Sequence, residues 1–63
     1  MAHFETFGRV QPGCTATLKT GQPVLITYTG IDGKGKAVVF YRDNHKARAE
    51  YLNKFLDQLR ELP

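Results

Sequence analysis

The chain contains no serine at all and a single cysteine, Cys14. A serine nucleophile is therefore excluded, and an internal disulfide with it. His3 and His45 are the only histidines. With one thiol, and no spacing that brings the three together, they make neither a zinc-type ligand set nor a cysteine–histidine dyad. Cys14 falls in a run that reads as a strand, where a buried, inert thiol is the default. The carboxylates are scattered. The expectation is a protein that is not an enzyme and takes no metal and no cofactor. Long apolar runs are missing too: none approaches the ~18 residues a membrane span needs. No basic, apolar, then small-residue order marks a secretory leader. These absences, with a lone thiol, read as no membrane and a reducing compartment, the cytoplasm.

What is present is short and basic. Sixty-three residues make one domain, 1–63, and a chain of that size buries only ~60% of the surface it exposes when unfolded. Lacking disulfide and metal, the fold must rest on an economical core or on a homodimer. The net charge is +3, and it is concentrated: Lys34, Lys36, Arg42, Lys46 and Arg48 face one acid, Asp43, between residues 34 and 48. A cluster of one sign sets up a local field for a polyanion or an acidic surface.

Turn chemistry divides the rest. Gln11-Pro12-Gly13 and Thr20-Gly21-Gln22-Pro23 join proline's fixed φ to glycine's freedom. Asp32-Gly33, inside Gly30–Gly35, lies between two β-rich runs and is the strongest hairpin signal. Strands are expected at about 4–10, 14–19, 24–29 and 36–42. A two-residue turn at Asp32-Gly33 would set Tyr28 against Ala37, Ile26 against Val39 and Val24 against Tyr41 on an apolar core face. Thr29–Lys36, Thr27–Val38 and Leu25–Phe40 would then lie on the other face. Residues 44–62 read as the helix, because Ala47, Tyr51, Leu52, Phe55, Leu56, Leu59 and Leu62 fall on one arc of a 100° wheel. Asp43 or Asn44 is the N-cap of that reading. The fold class is α+β: a small four-stranded antiparallel meander, ββββα, with one C-terminal helix packed across one sheet face.

Two places carry binding chemistry on this reading. His45, Lys46 and Arg48 stand in the first turns of the helix, backwards for its dipole. They form either an anion site with the free backbone N–H groups or ordinary surface, with Arg48 paired to an acid. The polar sheet face offers Thr27, Thr29, Lys36, Phe40 and Arg42, threonine and cations for phosphate oxygens and a ring for a base. Lys34 at the hairpin tip reaches a nucleic-acid backbone. The functional expectation is a small nucleic-acid-binding module, DNA ahead of RNA, that gathers Lys34, Lys36, Arg42, Lys46 and Arg48 into one patch beside Phe40, Thr27 and Thr29. The alternative is a protein-binding inhibitor, adaptor or assembly subunit that meets an acidic partner through the same patch. A homodimer is compatible with both.

Residues 14–59 resemble the three-stranded-sheet-plus-helix domain at the N-terminus of tyrosine recombinases. The similarity lies in Asp32-Gly33-Lys34-Gly35-Lys36, then Phe40, then Ala47, Ala49, Tyr51 and Leu52 on the following helix. The large aromatic residue common early in that family's second strand is missing here. In size, Gly-rich hairpin and C-terminal helix the chain is also similar to the small basic chromatin proteins of archaea, which are far richer in lysine. Both resemblances imply contact with DNA through the sheet.

Overall fold

Turns written into the sequence join its strands as consecutive hairpins. The computed structural model describes residues 7–61. Strands β1 (Thr15–Leu18), β2 (Pro23–Ile31), β3 (Ala37–Asp43) and β4 (Lys46–Tyr51) follow one another. Helix α1 (Leu52–Asp57) and a short strand β5 (Leu59–Glu61) complete the order. The sheet runs β4-β3-β2-β1-β5 with every neighbouring pair antiparallel. The α+β meander with a short C-terminal helix on the sheet is therefore the fold, and a fifth strand extends it.

The expected strand at 4–10 does not form over its described part. Residues 7–10 make a turn instead, in which the Val10 N–H donates to the Phe7 carbonyl at 2.9 Å. Phe7 and Val10 are both buried. Residues 4–6 lie outside the described residues. Aromatic content suggested a strand here, but two apolar side chains three apart suffice to pin a turn over the core.

The hairpin at Asp32 is longer than the two-residue turn its sequence suggests. Asp32 folds residues 32–36 into a loop: its Oδ1 accepts the N–H groups of Lys34 at 2.8 Å and Lys36 at 2.9 Å. Its own N–H donates to the Lys36 carbonyl. Ile31 then pairs with Ala37, and Ile26 faces Tyr41 rather than Val39. At Val24–Ile26 the pairing is shifted by two, which keeps each side chain on its face, but across an irregularity between Ile26 and Tyr28 the shift becomes three. There the chain carries one extra residue in β2, which reverses the alternation for the rest of the strand. Tyr28, expected in the core, stands 60% exposed, and Thr29, expected outside, is 7% exposed.

The largest departure is at residues 44–51, expected as helix. Asn44 adopts φ 63°, which asparagine tolerates better than most residues. It opens a tight turn that pairs Asp43 with Lys46. Lys46-Ala47-Arg48-Ala49-Glu50-Tyr51 alternates charged with small or aromatic residues at period two, and as β4 it pairs with β3 along its whole length. That pairing satisfies the backbone groups of alternate residues of β4 and removes the need to bury Arg48 on a helix. Of residues 44–61 only Leu52–Asp57 is helical, started by an extended Tyr51 that makes no side-chain cap. Two residues later the chain returns to β1, where the Lys19 N–H donates to the Gln58 carbonyl at 2.8 Å and Leu18 pairs with Leu59.

One cluster forms the core: Phe7, Val10, Ala16, Val24, Ile26, Val39, Tyr41, Phe55 and Leu59. It lies between the inner face of the sheet, α1 and the 7–10 turn. Phe55 is completely buried, with its ring centroid 4.9 Å from that of Tyr41.

Candidate nucleic-acid interface

Strands bury alternate residues, so the side chains β2, β3 and β4 turn away from the core share one outer face. Cross-strand pairing arranges them in rows. Leu25, Arg42 and Ala47 form one; Tyr28, Phe40 and Ala49 the next; Gly30, Val38 and Tyr51 the third. Tyr28, Phe40, Tyr51 and Leu25 are each at least two-fifths exposed. The Tyr28 and Phe40 rings meet edge to face at 5.6 Å. Gly30 makes room for that arrangement, since a Cβ there would stand 3.0 Å from Cε2 of Tyr28. On the other side of Phe40, Ala49 offers only a methyl group. Thr27, in the irregular stretch, spends its hydroxyl on the Phe40 carbonyl at 3.2 Å.

Cations close the ends of this face. Along β3 the outward series runs Lys36, Val38, Phe40, Arg42. Lys36 and Arg42, six residues apart, stand roughly 20 Å from each other along the strand. The Lys36 ammonium sits 5.6 Å from the Tyr51 ring centroid, within cation–π range. It borders an open groove of about 540 Å³ lined by Lys36, Ala37, Tyr51, Leu52, Asn53 and Lys54. A second groove, of about 360 Å³, follows Tyr28, Gly30, Val38 and Phe40. Strands β2, β3 and β4 contribute no carboxylate to the outer face. Asp32 borders it, with one carboxylate oxygen held by two loop N–H groups.

The expected single patch of five bases is divided. Lys34 and Lys36 belong to the hairpin loop and Arg42 to the outer face. Lys46 and Arg48 point the other way, because they pair with Asp43 and Tyr41, which face the core side. Arg48 Nε lies 3.5 Å from Asp43 Oδ2, and Glu50 is on the same side. The bases at 45–48 occupy a hairpin and a strand, so no helix N-terminus stands beside them. Thr29 is buried and reaches no ligand. Of the expected contact residues, Lys36, Phe40, Arg42 and Thr27 share one face, with Lys34 at its rim. Tyr28 and Tyr51 join them, both placed in the core by sequence reasoning. The signals for them were the strict alternation of residues 46–51 and a glycine two residues after Tyr28.

Residues on the core side perturb Tyr41. Burial above all, then the negative charges of Glu50 and Asp43, raise its phenol above the ordinary 10.0, with Arg48 opposing. The folded chain thus holds this proton after the unfolded chain has released it. Stability from the neutral phenol is complete below pH 10 and is lost as pH rises through the raised value. Tyr41→Phe is expected to lose less of its urea midpoint than the parent protein between neutral pH and about pH 11, a difference that paired unfolding curves would read.

No protein-family model, curated protein or solved structure matches this chain. The resemblance to the recombinase domain also loses its helix, since Ala47, Ala49 and Tyr51 lie on β4. Among the described residues no helix is long and apolar enough to cross a membrane.

Proposed function

We propose that this chain is a small nucleic-acid-binding module that uses the outer face of β2, β3 and β4. The observation that carries the reading is the composition of that face: exposed Tyr28, Phe40 and Tyr51 between Lys36 and Arg42, with no strand carboxylate among them. Cations meet phosphates and rings meet bases. Lys34 extends the phosphate contacts at the loop tip, and Thr27 holds the bulge that presents Tyr28. Lys46 and Arg48 are left out of the contact set. The half-buried lone thiol of Cys14 suits a reducing compartment, the cytoplasm.

The test is a titration of labelled nucleic acid, single-stranded and duplex, at several salt concentrations. Each phosphate contact contributes about 0.7 to 0.9 to the slope of log affinity against log salt. The double substitution Lys36→Ala/Arg42→Ala should lower that slope by about 1.5. Lys46→Ala/Arg48→Ala, on the other side of the sheet, should leave it unchanged. An unaltered slope in the first variant rules out this face. If neither form binds even at low salt, the exposed Leu25 and Phe40 and the unpaired edge of β4 favour the acidic protein partner instead.

A further inference from the structure

We infer that the outer face takes unpaired nucleotides, not duplex, and does so without regard to the sugar; this rests on the nucleic-acid reading above. The argument begins with what the rings can reach. In a duplex the base faces are stacked on each other and only their edges open into the grooves, so protruding rings have nothing to stack on unless bases are extruded or a base step is prised apart, both of which cost unstacking energy. The major groove of a duplex is read by a helix or a two-stranded ribbon that enters it. The outer face has no such projection. It is a three-stranded surface whose aromatic rings stand on adjacent strands: Phe40 beside Tyr28 on β2, and Tyr51 one strand across and two residues along, roughly 8 Å away by strand geometry.

Charge complements that arrangement. Lys36 and Arg42 bracket Val38 and Phe40 along β3. A strand laid along β3 would set phosphates near both cations while its bases lie over the rings between them. Ala47 and Ala49 keep the β4 side low, so nothing on the neighbouring strand covers Phe40. With Lys34, Lys36 and Arg42 for phosphates, and Lys54 at the groove beside Tyr51, cations are few and stacking carries a large share of the affinity, as it does on other single-strand platforms. Sugar indifference follows from the polar groups available. The threonine nearest the rings, Thr27, has its hydroxyl engaged by the Phe40 carbonyl, and Thr15 lies beyond them, beside Leu25 on β1. Base faces and phosphates are common to DNA and RNA, whereas the 2′-hydroxyl is what distinguishes them.

The experiment measures fluorescence anisotropy with a labelled ~12-nucleotide mixed-sequence DNA strand, a length within the usual site sizes. The RNA of the same sequence and the corresponding DNA duplex are the other two probes. The single strands should bind at least tenfold tighter than the duplex and within about threefold of each other. Phe40→Leu and Tyr51→Leu, both at exposed positions, should each weaken single-strand binding by about tenfold. Phe40→Trp should restore it, with circular dichroism showing the fold intact throughout. Duplex binding as tight as strand binding, or ring variants that bind strands normally, would overturn the inference while leaving the nucleic-acid reading standing. A strong preference for RNA would overturn the sugar indifference. Absence of binding to all three probes at low salt would remove the nucleic-acid reading itself.

Discussion

Replacing Phe55 with alanine is expected to leave a large fraction of the chain unfolded at room temperature. The ring is wholly buried against Tyr41, and emptying such a site costs about 3–5 kcal/mol. A chain of 63 residues has a total stability of roughly 3–9 kcal/mol. No disulfide supplements it, so one aromatic side chain amounts to a large part of the margin. Leu56→Ala is the control: Leu56 is 40% exposed, and its truncation should cost no more than about 1 kcal/mol. Urea unfolding followed by circular dichroism would compare the two. A continuous helix over 44–62 would have put both residues on its buried arc and made both substitutions damaging. Comparable losses would therefore contradict the short helix, and a Phe55→Ala loss of about 1 kcal/mol or less would contradict the core.

The same contrast shows which parts of the fold the sequence makes legible. Turns were legible where their chemistry is local. Gly21 takes φ 95° in the β1–β2 hairpin, and that conformation needs nothing from the rest of the molecule. Fold class followed from the strands those turns delimit. Residues 46–51 were ambiguous because Ala47, Ala49 and Tyr51 satisfy both a period-two and a loose helical pattern. Pairing with β3 decided between them, and pairing is a long-range term that no local window contains. The out-of-place bases at the supposed helix start were already a sign that the helical reading was strained, and as strand residues they need no explanation from the dipole.

The candidate face was legible in its ingredients and not in its assembly. Lys36, Phe40 and Arg42 share a side in any register that keeps β3 a strand, because they alternate. A helix over 44–62 would bring Lys46 and Arg48 beside them, whereas as residues of β4 they lie on the opposite side. Tyr28 was lost to the core by a single residue. An antiparallel strand with one extra residue exchanges its faces from that point on, and neither Thr27 nor its neighbours has a side chain that forbids regular pairing. Closing the loop by Asp32 and placing Tyr41 over Phe55 settle where both ends of the hairpin must lie. The extra residue is then accommodated between them.

A pair of lysine substitutions tests that reversal directly. Thr29→Lys would place an ammonium among Val39 and its buried neighbours, where the carboxylate of the same row, Glu50, stands two strands away. The cost should be on the order of 3 kcal/mol, the scale of an uncompensated buried charge. Tyr28→Lys removes a ring contact worth about 0.5–1.5 kcal/mol but leaves its charge in water, so its urea midpoint should move far less. Regular alternation through residues 24–29 predicts the opposite order, with Tyr28 the intolerant site. The two unfolding curves therefore decide the phase of β2 without reference to any ligand. The phase in turn decides whether Tyr28 stands beside Phe40 on the outer face or inside the core, and with it how many rings that face presents.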